Sequence, residues 1–217
     1  MSDCSSRAAT SDNGEPRISA RGECQYAECY CEENVWHLCD YLRFRKFDLS
    51  GTYVAFISNT NKTIPLWCQK AGRASDDHMV VWDYHVILLL SSNGSEALVY
   101  DLDSVLPFPC NFDDYFQRTI RSDGELKAKY QRSFRLVTGD TFLQLFASDR
   151  RHMKDKSTGE WHMPPPKWDC ITIPGSRHTM DSFWSMEPTV EGDLLHERSQ
   201  LLTSSEFFVM FSKKTPS

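Results

Sequence analysis

One unbroken apolar run constrains this chain more than any other feature of its sequence. Residues 86–90 read VILLL, which is the pattern of a strand that is covered on both faces. A second strand, residues 97–100, follows after the turn-forming residues 91–95. We therefore expect an antiparallel hairpin at the centre of the fold, with His85 at the entrance of its first strand and Asp101 at the exit of its second.

The turn chemistry permits two registers for this hairpin. A two-residue Asn93-Gly94 turn sets His85 opposite Leu102 and places Asp101 on the other face. A three-residue loop with Gly94 in the left-handed conformation instead sets His85 directly across from Asp101, with Cβ atoms about 5 Å apart. We adopt the second register, because it orients an imidazole by a carboxylate, and such an imidazole can activate a nucleophile.

A second patterned stretch predicts a helix that begins near Cys31. Its apolar residues recur at the spacing of one helical face, namely Cys31, Val35, Leu38, Cys39 and Leu42. Glu32 and Glu33 suit the positive end of the helix dipole. Cys31 is thus expected in the first turn and facing inward, where unpaired amide N–H groups favour a thiolate.

Cys31, His85 and Asp101 together have the residue types and order of a Cys-His-Asp triad. Each residue also has a simpler interpretation. A cysteine on an apolar helix face is commonly a small hydrophobe, a strand histidine is more often a core residue, and an aspartate can simply end a strand. The combination, rather than any one residue, predicts a nucleophilic site.

Other cysteines offer alternatives to this site. Cys24 and Cys29 are rival nucleophiles, but both precede the helix, where its dipole stabilises a thiolate less. With His37 the cysteines could suggest zinc, yet the spacings C-x4-C, C-x-C and C-x7-C lack paired C-x2-C knuckles, so we expect no metal. Because the N-terminal residues show no apolar signal segment, we expect the eight cysteines to be reduced thiols.

Length and charge limit the domain organisation and the partners. A chain of 217 residues can bury one sizeable core, and its first residues are rich in Ser, Asp, Arg and Gly. We expect a disordered leader at residues 1–22 and a single catalytic domain at residues 23–217. The net charge of −6 argues against nucleic acid or an anionic membrane as the main partner, and no apolar run approaches the ~18 residues of a membrane span.

The remaining patterns predict elements around the hairpin. Strands are expected at residues 53–57, 64–68 and 134–137, and helices at residues 112–120, at residues 141–147 with Asp140 as the cap, and after the capping-box sequence of residues 203–206. Residues 148–168 form a long polar loop, which is usually functional or mobile. In a regular strand Trp82 and Tyr84 would point away from the face that Asp83 shares with His85.

The acidic residues near the nucleophile need an explanation, because anions raise the pKa of a neighbouring thiol. Helix-dipole pairing on a solvated face is the simpler interpretation. The functional interpretation is that one carboxylate binds a cationic part of the substrate. The candidates for substrate binding are Glu33 and Asp83, with Glu32 less favoured.

Five blocks of this sequence, in order, resemble the eukaryotic protein N-terminal glutamine amidohydrolases. They are CYCEEN at residues 29–34, WDYHV at 82–86, YDLD at 100–103, LPFPC at 106–110 and FASDR at 146–150. The WDYHV pentapeptide is the family's namesake and the most specific of the five. The resemblance covers roughly residues 24–170.

The resemblance implies an α+β fold like that of papain and the transglutaminases, with the nucleophile at a helix N-terminus packed on an antiparallel sheet. It implies a monomeric enzyme of the cytoplasm and nucleus that needs no cofactor. Such enzymes convert the N-terminal glutamine of a protein or peptide to glutamate with release of ammonia, which feeds the arginylation branch of the N-degron pathway. The family's catalytic residues fall on Cys31, His85 and Asp101.

Two other classes are compatible with the same residues. A transglutaminase-like or protease-like cysteine enzyme could use this triad on another acceptor or another bond. A catalytically silent module could bind an N-terminal glutamine without turnover.

Overall fold

The main sheet is built around the apolar run of residues 86–90. The computed structural model describes residues 9–10, 16–18, 20–91, 96–188 and 192–213. Their strands are β1 (Ala9–Thr10), β2 (Pro16–Arg17), β3 (Thr52–Ser58), β4 (Ile64–Leu66), β5 (Val80–Trp82), β6 (His85–Leu90), β7 (Leu98–Tyr100), β8 (Cys110–Asn111), β9 (Ser133–Thr138) and β10 (Ser199–Thr203). Six of them form one sheet in the order β10-β9-β3-β6-β7-β8, and its neighbouring strands are antiparallel.

Helices cover both faces of this sheet. They are α1 (Cys31–Phe44), α2 (Phe112–Tyr115), α3 (Gly139–Leu145), α4 (Met180–Trp184), α5 (Leu194–Glu197) and α6 (Ser204–Phe211). One apolar core joins α1, α3 and α4 to Val86 and Leu88, and the other joins α2 and α6 to Ile87 and Leu89. Alternate residues of β6 thus enter opposite cores, which explains why the run is apolar throughout.

The predicted α+β class, with helices on an antiparallel sheet, is therefore confirmed. The predicted strands at residues 53–57 and 134–137 are present as β3 and β9. β4 pairs with β5 in a separate two-stranded sheet. None of the helices in the described part of the chain is long and apolar enough to cross a membrane.

The central hairpin forms, but both predicted registers are wrong. Tyr100 pairs with Leu88. The adopted register would pair Tyr100 with Val86, two residues away, and the alternative would pair it with Ile87, one residue away. A shift of two residues leaves every side chain on the face it was predicted to occupy. His85 and Asp101 therefore share a face as diagonal rather than direct neighbours. The turn that sets the register, residues 92–95, lies outside the described residues.

Helix starts follow the sequence at both ends of the chain. α1 begins at Cys31, as predicted. α6 follows a complete capping box, in which Thr203 and Glu206 each accept the backbone N–H of the other. The predicted helix at residues 112–120 is present as α2 continued by a π-helical turn, Phe116–Ile120.

The predicted cap of α3 is wrong. The helix starts at Gly139, two residues earlier than expected, so that Asp140 lies inside its first turn. Thr138 caps the helix instead, because its Oγ1 accepts the backbone N–H of Thr141 at 3.2 Å. A threonine hydroxyl, like a carboxylate, can accept the backbone N–H that a helix start leaves unpaired.

Most of the predicted leader, residues 1–22, lies outside the described residues, and its disorder stays a prediction. Within it, β1 and β2 pair with each other, and Ile18 is buried in the core that contains α1. Arg21 donates a hydrogen bond to the backbone oxygen of Leu106 at 2.8 Å.

Candidate active site

Cys31 is the first residue of α1, and its side chain is buried. The thiol donates to Glu32 Oε2, with the sulfur 3.8 Å from that oxygen. Its sulfur also accepts the backbone N–H of Val86, the residue that follows His85. Tyr30 at the N-cap makes no side-chain cap hydrogen bond, so the first-turn amide groups stay available to an incoming ligand.

His85 and Asp101 form a buried pair in which His85 Nε2 lies 3.0 Å from Asp101 Oδ1. The carboxylate of Asp101 is held by three donors. Tyr115 Oη donates to its Oδ2 at 2.8 Å, Gln69 Nε2 donates to the same oxygen at 3.3 Å, and the backbone N–H of Asp103 donates to Oδ1 at 2.9 Å. These donors fix the carboxylate, which in turn orients the imidazole.

The electrostatics of these groups give His85 a raised pKa beside a thiol that stays neutral. Burial raises the pKa of Asp101 more than any other single cause changes it, but His85, Tyr115 and the backbone N–H of Asp103 together outweigh burial and bring the pKa to about 2. Burial is the largest effect on the pKa of His85 and lowers it, but Asp101, Asp103 and Glu32 together raise it by more, so the net shift is upward. Burial, followed by Glu32 and Asp103, raises the pKa of the Cys31 thiol well above its usual range. The expected resting thiolate is therefore not favoured, because burial and carboxylates outweigh the backbone amide.

The structure brings His85 and Asp101 together directly, whereas Cys31 meets the start of β6 through the Val86 amide. Among the contacts of the described residues there is no direct hydrogen bond between Cys31 and His85. Because catalytic hydrogen bonds are often long before substrate binds, this geometry is compatible with a triad that closes on its substrate.

Trp82 and Tyr84 do not point away from the site, and that prediction is wrong. The chain leaves the extended conformation between β5 and β6, at residues 83–84, so the alternation of a regular strand does not continue. The Trp82 ring stacks on His85 with centroids 5.7 Å apart. The Tyr84 hydroxyl donates to Glu32 Oε2 at 2.8 Å.

Glu32 is fully buried beside the thiol. Its Oε2 accepts from Tyr84 and from the Cys31 thiol. Its Oε1 accepts no hydrogen bond from the described residues and lies 3.5 Å from His152 Nε2. Glu32 is thus a carboxyl group with unused acceptor capacity among the described residues, close to the Cys31 sulfur.

Glu33 is also fully buried, but both of its oxygens are engaged. Arg150 donates through Nε to Oε1 at 2.8 Å and through Nη2 to Oε2 at 2.9 Å. The indole N–H of Trp168 donates to Oε2 at 2.7 Å. Glu33 therefore anchors both ends of the 148–168 segment to the first turn of α1.

Asp83 and Asp103 complete the acidic surroundings of the site. Asp83 is exposed, and its Oδ1 accepts the backbone N–H of Tyr84 at 2.9 Å. Asp103 is buried, and its Oδ1 accepts the hydroxyl of Tyr26 at 2.6 Å. Both carboxylates also raise the pKa of the Cys31 thiol, although by less than burial and Glu32 do.

His85, Asp101 and Asp103 also have the chemistry of a metal site, since one ligand atom from each lies within 4.8 Å of the others. The donors around Asp101 favour its ion pair with His85, because each occupies a lone pair that a metal would need. The expectation that no metal is bound stays a prediction.

Most of the chain matches known proteins. Residues 26–210 match the family described as N-terminal glutamine amidase. The chain belongs to this family. Its relatives include proteins named protein N-terminal glutamine amidohydrolase from Danio rerio, 49% identical over 77% of this chain and 82% of the relative, and from Homo sapiens, 43% identical over 92% and 94%. The Drosophila melanogaster protein of the same name is 45% identical over 79% and 82%.

Membership of the N-terminal glutamine amidase family confirms the resemblance inferred from the five sequence blocks. The family match extends to residue 210, well past the block at residues 146–150. It therefore includes Glu33's partners in the 148–168 segment and the C-terminal helix α6.

Several residues of this amidase site escaped sequence reasoning. Asp103 carried a signal, because it lies two residues after Asp101 and so on the same side of an extended chain. Tyr115 lay on the predicted apolar face of a helix, where its hydroxyl had no visible partner. Arg150 lay in the block at residues 146–150 without an assigned role and Gln69 gave no signal, since only the tertiary fold brings them to Glu33 and Asp101.

Proposed function

We propose that this chain hydrolyses the side-chain carboxamide of an N-terminal glutamine, in proteins and peptides, to glutamate and ammonia. Its membership of the N-terminal glutamine amidase family supports the reaction and the substrate. The buried pair of His85 and Asp101 beside a helix-terminal thiol supports a cysteine mechanism in a fold of the papain and transglutaminase type.

The observation that carries the proposal is a thiol surrounded by carboxylates. Apart from burial, the groups that raise the pKa of the Cys31 thiol are the carboxylates of Glu32, Asp103 and Asp83, in decreasing order. The backbone amide of Val86 opposes them. A nucleophile in such surroundings is poorly activated until positive charge arrives. A substrate with a free α-ammonium group close to its reacting carbonyl supplies this charge, and an N-terminal glutamine has both.

In the first half of the reaction His85 takes the thiol proton while Cys31 attacks the carboxamide carbon. Nε2 of His85 faces Asp101, which leaves Nδ1 for proton transfer with the thiol. The first-turn amides of α1 stabilise the negative oxygen that develops. The imidazolium then returns the proton to the departing nitrogen, so that ammonia leaves and a thioester remains.

In the second half a water molecule replaces ammonia. His85 removes a proton from the water, which attacks the thioester carbon. The carbon–sulfur bond breaks, the proton returns to sulfur, and the N-terminal residue leaves as glutamate. Asp101 holds the imidazole in one orientation and stabilises its charged form in both halves.

Asp83 is the best-placed partner for the substrate's α-ammonium group. It is exposed, so an N-terminus can reach it, and it acts electrostatically on Cys31. Glu33, which the sequence offered equally, is occupied by Arg150 and Trp168. An ammonium group at Glu33 would have to displace a bidentate guanidinium, which is an unfavourable exchange.

The product gives the reaction its place in the cell. A protein that begins with glutamate is the substrate class of N-terminal arginylation. We propose that this enzyme supplies that step of the N-degron pathway in the cytoplasm and nucleus, as a monomer that uses no cofactor.

The test is ammonia release from a peptide that begins with glutamine, with mass spectrometry of the peptide. We expect one ammonia per peptide, an intact chain and glutamate at the first position, without any added amine. Cys31→Ala should lose at least about a thousandfold in rate. Cleavage of the chain, or turnover only with an added amine, would instead favour a protease or a transglutaminase, and tight binding without turnover would favour a silent module.

A further inference from the structure

The mechanism uses the thiol, the imidazole and the helix amides, but it gives no task to the carboxyl group nearest the sulfur. Glu32 Oε2 lies 3.8 Å from Cys31 Sγ and accepts from the thiol in the resting site. Its Oε1 is buried without a hydrogen bond from any described residue. A buried acceptor without a donor is costly, which suggests that a ligand supplies the donor.

The geometry of a carboxamide under attack shows which donor that is. When the sulfur bonds to the carbon, the oxygen and nitrogen of the carboxamide both lie one bond from that carbon. The first-turn amides of α1 take the oxygen, because they are donors. The nitrogen, which carries two N–H donors, needs an acceptor close to the sulfur, and Glu32 is the carboxyl group that hydrogen-bonds the thiol.

We propose that Glu32 recognises the carboxamide nitrogen of the substrate and thereby sets the preference of the site for glutamine over its product, glutamate. This role rests on the proposed function. In the bound state one carboxamide N–H replaces the thiol S–H on Oε2, once His85 has taken the thiol proton, and the other N–H supplies the donor that Oε1 lacks. The product carries an oxygen in place of that nitrogen. Its carboxylate would then lie at hydrogen-bond distance from the Glu32 carboxylate, and two negative charges so close together repel each other.

The same contact assists the departure of ammonia. When His85 protonates the nitrogen of the tetrahedral intermediate, the nitrogen becomes positively charged beside the Glu32 carboxylate. Tyr84, which donates to Oε2 at 2.8 Å, holds that carboxylate in place. A charge that develops in the reaction is thus met by a group already oriented for it.

Glu32 and Asp83 divide the substrate between them. Glu32 is fully buried at the sulfur, so it meets the end of the side chain. Asp83 is exposed, so it meets the α-ammonium group at the entrance. Substitution of Asp83 should weaken glutamine and glutamate peptides equally, because both carry the ammonium, whereas substitution of Glu32 should affect them differently.

The test is calorimetric binding of two matched peptides, which begin with glutamine or with glutamate, to Cys31→Ala, which cannot turn them over. In this background we expect the glutamine peptide to bind at least about tenfold more tightly. Adding Glu32→Gln should reduce this ratio of affinities by about tenfold or more. The substitution removes the repulsion between Glu32 and the glutamate peptide, and the new side-chain amide can donate to the carboxylate of that peptide. Adding Asp83→Asn, the control, should weaken both peptides and leave the ratio unchanged.

A third peptide tests the contact without altering Glu32, should Glu32→Gln fail to fold. Its first residue is methionine sulfoxide, which carries a sulfoxide in place of the carboxamide, so it keeps the oxygen and the free α-ammonium group but lacks the N–H donors. It should bind Cys31→Ala at least about fivefold more weakly than the glutamine peptide. Equal affinity for these two peptides, or an unchanged ratio in Glu32→Gln, overturns the assignment. Absence of ammonia release by the wild-type enzyme would overturn the proposed function instead.

Discussion

The bond between Glu33 and Arg150 leads to a prediction that separates anchoring from substrate binding. Glu33 is fully buried, and the Arg150 side chain is 6% exposed. Glu33→Gln keeps the shape of the side chain but replaces one acceptor oxygen by a donor group, which then faces the guanidinium. The charge of Arg150 is left buried without its partner, and this is the main cost of the substitution.

The loss of unfolding free energy in Glu33→Gln depends on the hydrogen bonds that Arg150 keeps. Removing one partner of a buried ion pair costs about 3–5 kcal/mol. Burial raises the pKa of Glu33 even against Arg150, so the ionised carboxyl already carries a desolvation cost that glutamine lacks. Arg150 also keeps backbone acceptors at Trp168, Asp169 and Pro166, at 2.9, 3.3 and 3.4 Å. We therefore expect the lower end, about 3 kcal/mol, or a loss of roughly 6–12 °C in Tm for a domain of this size.

The assay is thermal and urea unfolding of the variant beside wild type, followed by kinetics well below the lower Tm. Glu125→Gln makes the same chemical change at an exposed glutamate and should shift the unfolding free energy by less than about 0.5 kcal/mol. The opposite pattern would refute this reasoning: an unchanged Tm for Glu33→Gln, together with a KM for glutamine peptides raised about tenfold. Glu33 would then be the ammonium partner.

Three further predictions address the imidazole and the fold. Asp101→Asn should leave the protein folded but lower kcat by about 10²–10⁴-fold, as measured by ammonia release, because the imidazole loses its orientation and charge partner. Burial lowers the pKa of His85, but Asp101, followed by Asp103 and Glu32, raises it by more in total. The rate constant kcat/KM should therefore fall with decreasing pH through a pKa above the usual value of histidine, and Asp101→Asn should move that fall to lower pH. Thr203→Ala removes the capping box of α6 and should cost about 1 kcal/mol in urea unfolding without changing kcat.

The local parts of the fold were accessible from sequence because short-range physics decides them. The apolar run of residues 86–90 required a strand with two covered faces, and the spacing after Cys31 required a helix with that residue in its first turn. The sequence thus predicted that Cys31 begins a helix and that His85 and Asp101 share one face of the hairpin, which are the main features of the candidate site.

The register of the hairpin could not be predicted from the sequence, because the turn residues permit several loops of similar energy. The prediction still put His85 and Asp101 on one face, since an error of two residues preserves the side-chain alternation. Trp82 and Tyr84 were misplaced for a different reason. The break between β5 and β6 is stabilised by tertiary contacts, among them the bond from Tyr84 to Glu32, which no local pattern shows.

The partners of the carboxyl groups could not be inferred either. Glu32 and Glu33 are adjacent and chemically identical in the sequence. Yet Glu32 bonds the Cys31 thiol and has a second oxygen to which no described residue donates, whereas Glu33 binds a guanidinium. Their difference comes from Arg150, more than a hundred residues away in the chain. Long-range pairing of this kind is decided by the packing of the whole domain.

Arg21 has a practical consequence for anyone who shortens this protein. Its guanidinium donates to the backbone oxygens of Leu106 and Asp101, at 2.8 and 3.5 Å, and lies over the ring of Phe108. Trimming the chain to residue 23, where composition places the domain boundary, would remove a hydrogen-bonded support from the loop that carries Asp101. An enzyme trimmed before Ile18 keeps that support and is the safer starting point for crystallisation.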